Sequence, residues 1–253
     1  ADMHGLTVDK VITDRLAFKN EIITSNNIGK VNNSGPRIGF AYLTGSVNEF
    51  ATRASKYGGL GIQPFTSMIG YQIEGQYVGT ENFSALVEGI INVSGLEQGQ
   101  FVPSISLLNG FRFGKANWEF AFGPRFGIST TSQGFFDDQN VYSNDGRYFS
   151  ESDWYTYANT QNSNNPGATP LDPYMPGNNY AFEKNFDRRG SKALATTFLI
   201  AFGRTFQAGA LNIPVNLFYS SQKGGGYVGV NMGFNVQKSK QPINKTTSPG
   251  RYY

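Results

Sequence analysis

The sequence predicts an all-β chain, an eight-stranded antiparallel transmembrane β-barrel, and three observations lead there. Apolar residues alternate with small or polar ones in eight separate stretches. The clearest is residues 227–236, where Val228, Val230, Met232, Phe234 and Val236 share one face. No apolar run approaches the roughly 18 to 20 residues of a membrane helix. Gly (31), Phe (21) and Tyr (14) are abundant while charged residues make up only 15%, a composition that suits glycine-kinked strands with aromatic belts. The oily faces meet no second packing layer in the sequence, so they are expected to face lipid.

Residues 1–36 have mixed polarity and end in a turn cluster from Asn32 to Pro36; they read as an N-terminal arm with a short helix around Val8 to Phe18. The first strand, 37–44, puts Ile38, Phe40 and Tyr42 on one face, and a loop rich in Gly and small polar residues spans 45–64. Strand two, 65–79, sends Phe65, Ile69, Tyr71, Ile73 and Tyr77 outward and Thr66, Gln72, Glu74 and Gln76 inward. The tight turn 80–82 leads into strand three, 83–93, with Phe83, Ala85, Val87, Ile91 and Val93 outward. A three-residue turn sets Glu74 opposite Glu88, and two like charges there need a cation. Strands 103–113 and 117–129 join through Lys115 and Ala116. That pairs Phe113 with Trp118 and Phe111 with Phe120 outside, and Arg112 with Glu119 inside. Arg125 is a second candidate to neutralise Glu74 and Glu88, and Asn109 is a polar exception on the outward parity.

Residues 130–192 then break the rhythm with a long segment rich in Asn, Asp, Gly, Pro and aromatics. Alternation resumes in 193–206, with Leu194, Phe198, Ile200 and Phe202 outward, and in 211–221, with Asn212 and Asn216 inward. Three glycines, 224–226, turn into 227–236, and a basic, Pro-containing tail, 237–253, follows. Connections are short after the second, fourth and sixth strands and long after the first and fifth. This is the asymmetry of an outer-membrane barrel, with short periplasmic turns and an extracellular loop at 130–192. The expected organisation is therefore a periplasmic arm (1–36), a transmembrane barrel (37–236) and a periplasmic tail (237–253). The chain begins at Ala1 without a charged n-region or an apolar h-region, so a signal peptide is expected to have been removed.

Gly229, Met232 and Phe234 occupy the third, sixth and eighth positions of a stretch that resembles the terminal insertion signal of outer-membrane barrels. The GFN element, 233–235, resembles the last strand of small barrels from Bacteroidota, and residues 37–236 are similar in plan to eight-stranded OmpA-like and OmpW-like barrels. The resemblance implies a Gram-negative outer membrane, a porin-like shape, and contact with outer-membrane lipid and lipopolysaccharide. It departs from the usual pattern where the tail follows the last strand. Enzymes built on such barrels use a histidine as base, whereas this chain has one, His4, in the arm, so no enzymatic activity is expected. No cofactor or metal is expected either, since Cys is absent and His4 has no second ligand. Asp137, Asp138, Asp145, Glu151 and Asp153 lie close together on the long loop, but their spacing matches no EF-hand loop and surface solvation is the favoured reading. A net charge of +3 argues for no nucleic-acid partner.

Two constellations remain. Inward Gln72, Glu74, Glu88, Arg112, Glu119, Arg125, Asn212 and Asn216, with Asn92 and Asn231, form a polar lumen network. It reads either as a conduction path or, preferably, as an ion-pair plug, because eight strands leave an interior only just wide enough for side chains. Tyr148, Phe149, Trp154, Tyr155 and Tyr157 form a candidate partner surface on the loop, with self-packing as the alternative. Tyr77, Phe83, Phe113, Trp118 and Phe206 read as an aromatic girdle, with Arg204 able to snorkel beside it. The expected function is a non-enzymatic accessory or scaffold subunit of an outer-membrane complex for protein assembly, secretion or nutrient uptake, touching other outer-membrane or periplasmic proteins. A narrow channel for small or amphipathic solutes is the alternative, and surface adhesion through the loop a third.

Overall fold

The computed structural model describes residues 31–80, 82–222 and 224–236. His4, the expected helix around Val8 to Phe18 and the tail 237–253 lie outside the described residues. Eight long strands follow one another around a ring: β1 (Gly35–Thr44), β2 (Phe65–Gly79), β3 (Phe83–Ser94), β4 (Val102–Phe113), β5 (Trp118–Phe136), β8 (Ser191–Ala208), β9 (Leu211–Gln222) and β10 (Gly225–Gly233). Each pairs antiparallel with both neighbours, and β10 closes the circuit by pairing with β9 on one side and β1 on the other. The fold is all-β, an antiparallel sheet closed into an eight-stranded ring. Closure removes the free edges that an open sheet must protect.

Register follows from the short connections. Arg112 faces Glu119 and Phe113 faces Trp118, as a tight turn through Lys115 and Ala116 dictates. Glu74 faces Glu88 by a less direct route. The turn pairs Gly79 with Ser84 rather than with Phe83, and a bulge at Tyr77 then restores the expected alignment from Gln76 down. The last strand also departs from the sequence reading. It begins at Gly225 and stops at Gly233, and the two-residue β11 (Asn235–Val236) continues the same register on β9. The break lies opposite Pro214, which has no N–H to give the ladder.

Parity sorts the side chains. Ile69, Ile73, Ile91, Leu194 and Leu217 point outward and stay 56%, 63%, 56%, 73% and 61% exposed. Apolar residues of β1, β2, β3, β4, β5, β8, β9 and β10 are exposed on the same outer side, so the band encircles the ring. The one outward asparagine, Asn109, accepts a hydrogen bond from the Tyr77 hydroxyl at 2.9 Å. Outward Arg204 lies over Trp118 and Phe206 and donates to the Ala116 carbonyl at 3.1 Å. Inside, Ala41, Met68, Leu108, Ala121, Leu199, Ala201 and Phe218 form an apolar layer.

Both long connections are ordered, which the sequence reading did not foresee. The segment expected as a loop over 45–64 begins with a helix, α1 (Gly45–Thr52), folded across one mouth of the ring. Gly45 permits this entry: it has φ +56°, and a Cβ there would lie 2.0 Å from the Gly224 carbonyl oxygen. Val47 and Ala51 then pack with Leu43. In the longer segment, β5 runs on to Phe136 instead of ending at Ser129 and carries two short partners, β6 (Tyr148–Ser150) and β7 (Glu183–Phe186). Between them lies α2 (Glu151–Asn164), whose N-terminus is fixed by a reciprocal capping box of Ser150 and Asp153. Phe135, Phe149, Trp154 and Ala158 form its core, with Tyr142, Tyr157, Leu171, Tyr180 and Phe182 packed around them.

Three of the five rings expected as a partner surface are therefore interior. Tyr148, Phe149 and Trp154 are buried, Tyr157 is half-buried, and only Tyr155 stays exposed. An insertion this rich in aromatics buries them against one another because water would otherwise cover several hundred Å² of ring surface. Trp154→Ala should cost about 3–5 kcal/mol locally. Limited proteolysis should then cut within 137–182 while the ring strands stay protected.

Candidate functional site: the ring interior and its mouth

At the short-turn end the interior is closed by charge. Arg112, on β4, reaches between two carboxylates: its Nε donates to Glu119 Oε2 at 3.0 Å and its Nη2 to Glu74 Oε2 at 3.0 Å. The same guanidinium donates from Nη1 to the Val31 carbonyl at 2.7 Å, so the end of the N-terminal arm is drawn into the ring. Asn33 completes the seal. Its N–H donates to Glu74 Oε1 at 2.8 Å and its Nδ2 to Thr205 Oγ1 at 2.8 Å, while the Glu74 N–H donates to Ser34 Oγ at 2.9 Å. Asn212 and Asn235 both donate to the Asn32 carbonyl. Residues 31–34 thus line the interior, although the sequence reading placed all of 1–36 in a periplasmic arm.

One turn deeper, Arg37 donates to Gln72 and, at 3.0 Å, to Asn231 Oδ1. The sequence reading omitted Arg37, yet its parity with Gly39, Ala41 and Leu43, opposite Ile38, Phe40 and Tyr42, already pointed it inward. Asn33 and Ser34 carried no such signal, because they precede the first strand. Glu88 is buried beside this group with one carboxylate oxygen free of protein partners, and Asn216 shares the same narrow space. That space measures about 30 Å³, room for no more than a water or two.

Arg125 departs from expectation. It pairs with neither Glu74 nor Glu88. Arg125 and Glu88 both border the small internal space without pairing, and the guanidinium lies instead over the Tyr227 ring, 4.7 Å from its centroid. Beside it Thr197 and Ser220 hydrogen-bond each other at 3.0 Å. Above this level the interior widens into a cavity of about 500 Å³ beneath α1. The inside of the ring therefore has three levels: an ion-paired plug, an apolar layer, and an open mouth with Arg125 at its floor.

The mouth's wall is braced by the turn Leu96–Gln98. Glu97 accepts hydrogen bonds from the Ser67 N–H, at 2.8 Å, and from the Ser67 hydroxyl. Partial burial opposes ionisation of this carboxyl, but the bonds from Ser67 outweigh it and hold the pKa down at about 2. Two acidic residues of the outer insertion are also engaged. Asp137 accepts from the N–H groups of Val141, Tyr142 and Ser143 and from the Tyr180 hydroxyl, and Asp153 pairs with Arg189 at 2.8 Å. Among the described residues no group of three or more acidic or histidine side chains is placed to hold a metal ion. Of the proposed insertion signal, Met232 and Phe234 face outward, while Gly229 leaves room for the Phe218 ring, which would approach a Cβ to 2.7 Å. No family model matches this chain and no curated protein is detectably similar to it.

Two outcomes follow from these contacts. Arg112→Met leaves Glu74 and Glu119 buried without their cation and should lower unfolding stability by about 3–5 kcal/mol, read from the urea midpoint. Adding Glu74→Gln and Glu119→Gln should restore part of that loss. Glu97, with a folded pKa below the unfolded value of about 4.3, stabilises its turn above pH ~4.3 and loses that contribution as pH falls towards 2. A carboxyl resonance of Glu97 titrating near pH 4 would contradict the bonding described.

Proposed function

We propose that this protein is a small bacterial outer-membrane β-barrel of the OmpA-like or OmpW-like plan, closed to solute flow, that works as a non-enzymatic accessory subunit of a larger envelope complex. The encircling apolar band supports the membrane part. Soluble monomers rarely expose a contiguous apolar patch beyond a few hundred Å², and here outward apolar side chains occur on every strand of the ring. Neither helix among the described residues is long and apolar enough to cross a membrane, so any crossing falls to the strands. The girdle residues Tyr77, Phe83, Phe113, Trp118 and Phe206, all exposed, gather at the short turns as an interfacial belt would.

The observation that carries the closed-scaffold reading is the interior. A conducting path needs continuous water, whereas the Arg112 ion pairs close the lower interior and the space between Arg37, Glu88 and the apolar layer measures about 30 Å³. What the chain offers a partner lies instead in the insertion after β5. Tyr155 and Tyr174 lie 5.6 Å apart and, with Met175, are 46%, 73% and 67% exposed, the kind of aromatic cluster that anchors interfaces. This patch replaces the buried rings as the surface for docking another outer-membrane or periplasmic protein.

The experiment is gentle extraction from native membranes with an affinity tag after Tyr253. A reproducible co-purifying envelope protein is expected, and the triple change Tyr155→Ser, Tyr174→Ser, Met175→Ser should reduce its recovery at least fivefold without altering heat-modifiability. Recovery of monomer alone would sink the accessory role. In planar bilayers the protein should be silent; steady conductance that changes with Arg112→Met would favour a channel instead.

A further inference from the structure

The plugged lower half leaves the mouth cavity unexplained, and its chemistry is one-sided. The wall is mainly apolar, built from residues such as Leu43, Val47, Phe50, Ile62, Phe101 and Phe186 with hydroxyl and amide side chains such as Thr66, Thr197 and Gln222 among them, and its volume of about 500 Å³ falls within the roughly 300–1,000 Å³ typical of ligand sites. The charged residues lining it are Arg125, Arg188 and Lys192, and no acidic side chain is among its walls. A mainly apolar pocket whose charged residues are all cations matches a ligand with an aliphatic body and a negative head.

Arg125 locates the head. The other two inward guanidiniums, Arg37 and Arg112, are hydrogen-bonded to side chains. Arg125 is also buried, but among the described residues its guanidinium has no ion pair; it rests on the Tyr227 ring and borders the cavity floor. A buried cation without a carboxylate carries a desolvation penalty that an incoming anion relieves. Exposed Arg188 and Lys192, at the rim, attract that anion at longer range.

The ladder provides the place for the tail. β4 pairs with β5 only as far as Ser104 and Gly127, while β5 continues to Phe136. The cavity is bounded at this parting by Phe101 and Ile128, which are 71% and 54% exposed, so an apolar chain extends from the floor towards the outer band over oily surface. We propose that the mouth cavity binds a single-chain anionic amphiphile, its carboxylate or phosphate on Arg125 and its alkyl chain directed to the gap between β4 and β5. The proposal does not depend on the accessory role, and it holds whether or not a partner protein is found.

The test uses the full chain in an uncharged detergent, incubated with dodecanoate, dodecyl phosphate or dodecanol and examined by native mass spectrometry. Retention of dodecanoate or dodecyl phosphate at least tenfold above dodecanol, with the preference lost in Arg125→Gln, supports the site; the better of the two anions distinguishes a fatty acid from a lipid phosphate as its source. Equal retention of the alcohol, no retention, or a preference that Arg125→Gln leaves intact overturns it. Photo-crosslinking of the unsubstituted protein with a diazirine-bearing dodecanoate reads the same site without a variant. Adducts within 43–62, 101–103 or 127–130 are expected, and adducts confined to outward residues such as Ile73 and Leu217 would count against the cavity.

Discussion

Closing a β-ladder on itself fixes the fate of every side chain, and the rest of this molecule depends on that constraint. Once β10 pairs with both β9 and β1, the sheet has an inside and an outside and no third choice. A residue that changes parity crosses the wall, so a one-residue slip would bring Ile73 and Tyr71 inward and put Glu74 and Gln72 on the apolar outer face. The bulge at Tyr77 shows how tightly this is held. The β2–β3 turn is one residue wider than its sequence suggests, and the strand absorbs the excess within a few residues, before the charged level is reached.

Inside, space and charge act together. Eight strands leave too little volume for water-filled separation of ions, so Glu74 and Glu119 share Arg112 directly, with a hydrogen bond from the Asn33 N–H adding to the coordination of Glu74. A buried cluster of this kind adds less to stability than its number of contacts suggests, since desolvation offsets much of the attraction. Its stronger effect is on uniqueness. The fork of Arg112 selects one position for the chain at Val31 and one rotation of the strands that carry the carboxylates.

Much of this was legible in the sequence. Period-two alternation locates the ring strands, and the short connections dictate the pairing of Arg112 with Glu119 and, once the bulge at Tyr77 offsets a wider turn, that of Glu74 with Glu88. What escaped had weaker signals. α2 is polar on most of its surface, so its helical period was hidden, although Ser150 and Asp153 sit at capping-box spacing. α1 is short and opens on a glycine, which reads as a loop. The burial of Tyr148, Phe149 and Trp154 could not be told from exposure by composition, because an aromatic-rich insertion looks the same whether its rings meet each other or a partner. Arg125 is inward as expected but pairs with neither carboxylate, because parity gives the face of a residue and not its height along the axis, which depends on how the strands are staggered around the ring.

β5 passes without interruption from the wall beside Glu119 to the core of the outer insertion at Phe135. A nineteen-residue strand of this kind is a stiff rod rather than a tether, and Arg53, held between the Phe136 and Tyr148 rings, bolts the base of the insertion to the segment after α1. The insertion consequently has no hinge at its root. A sideways push on it is delivered as leverage on the two strands that flank β5, so the cap and the cylinder tilt as one piece.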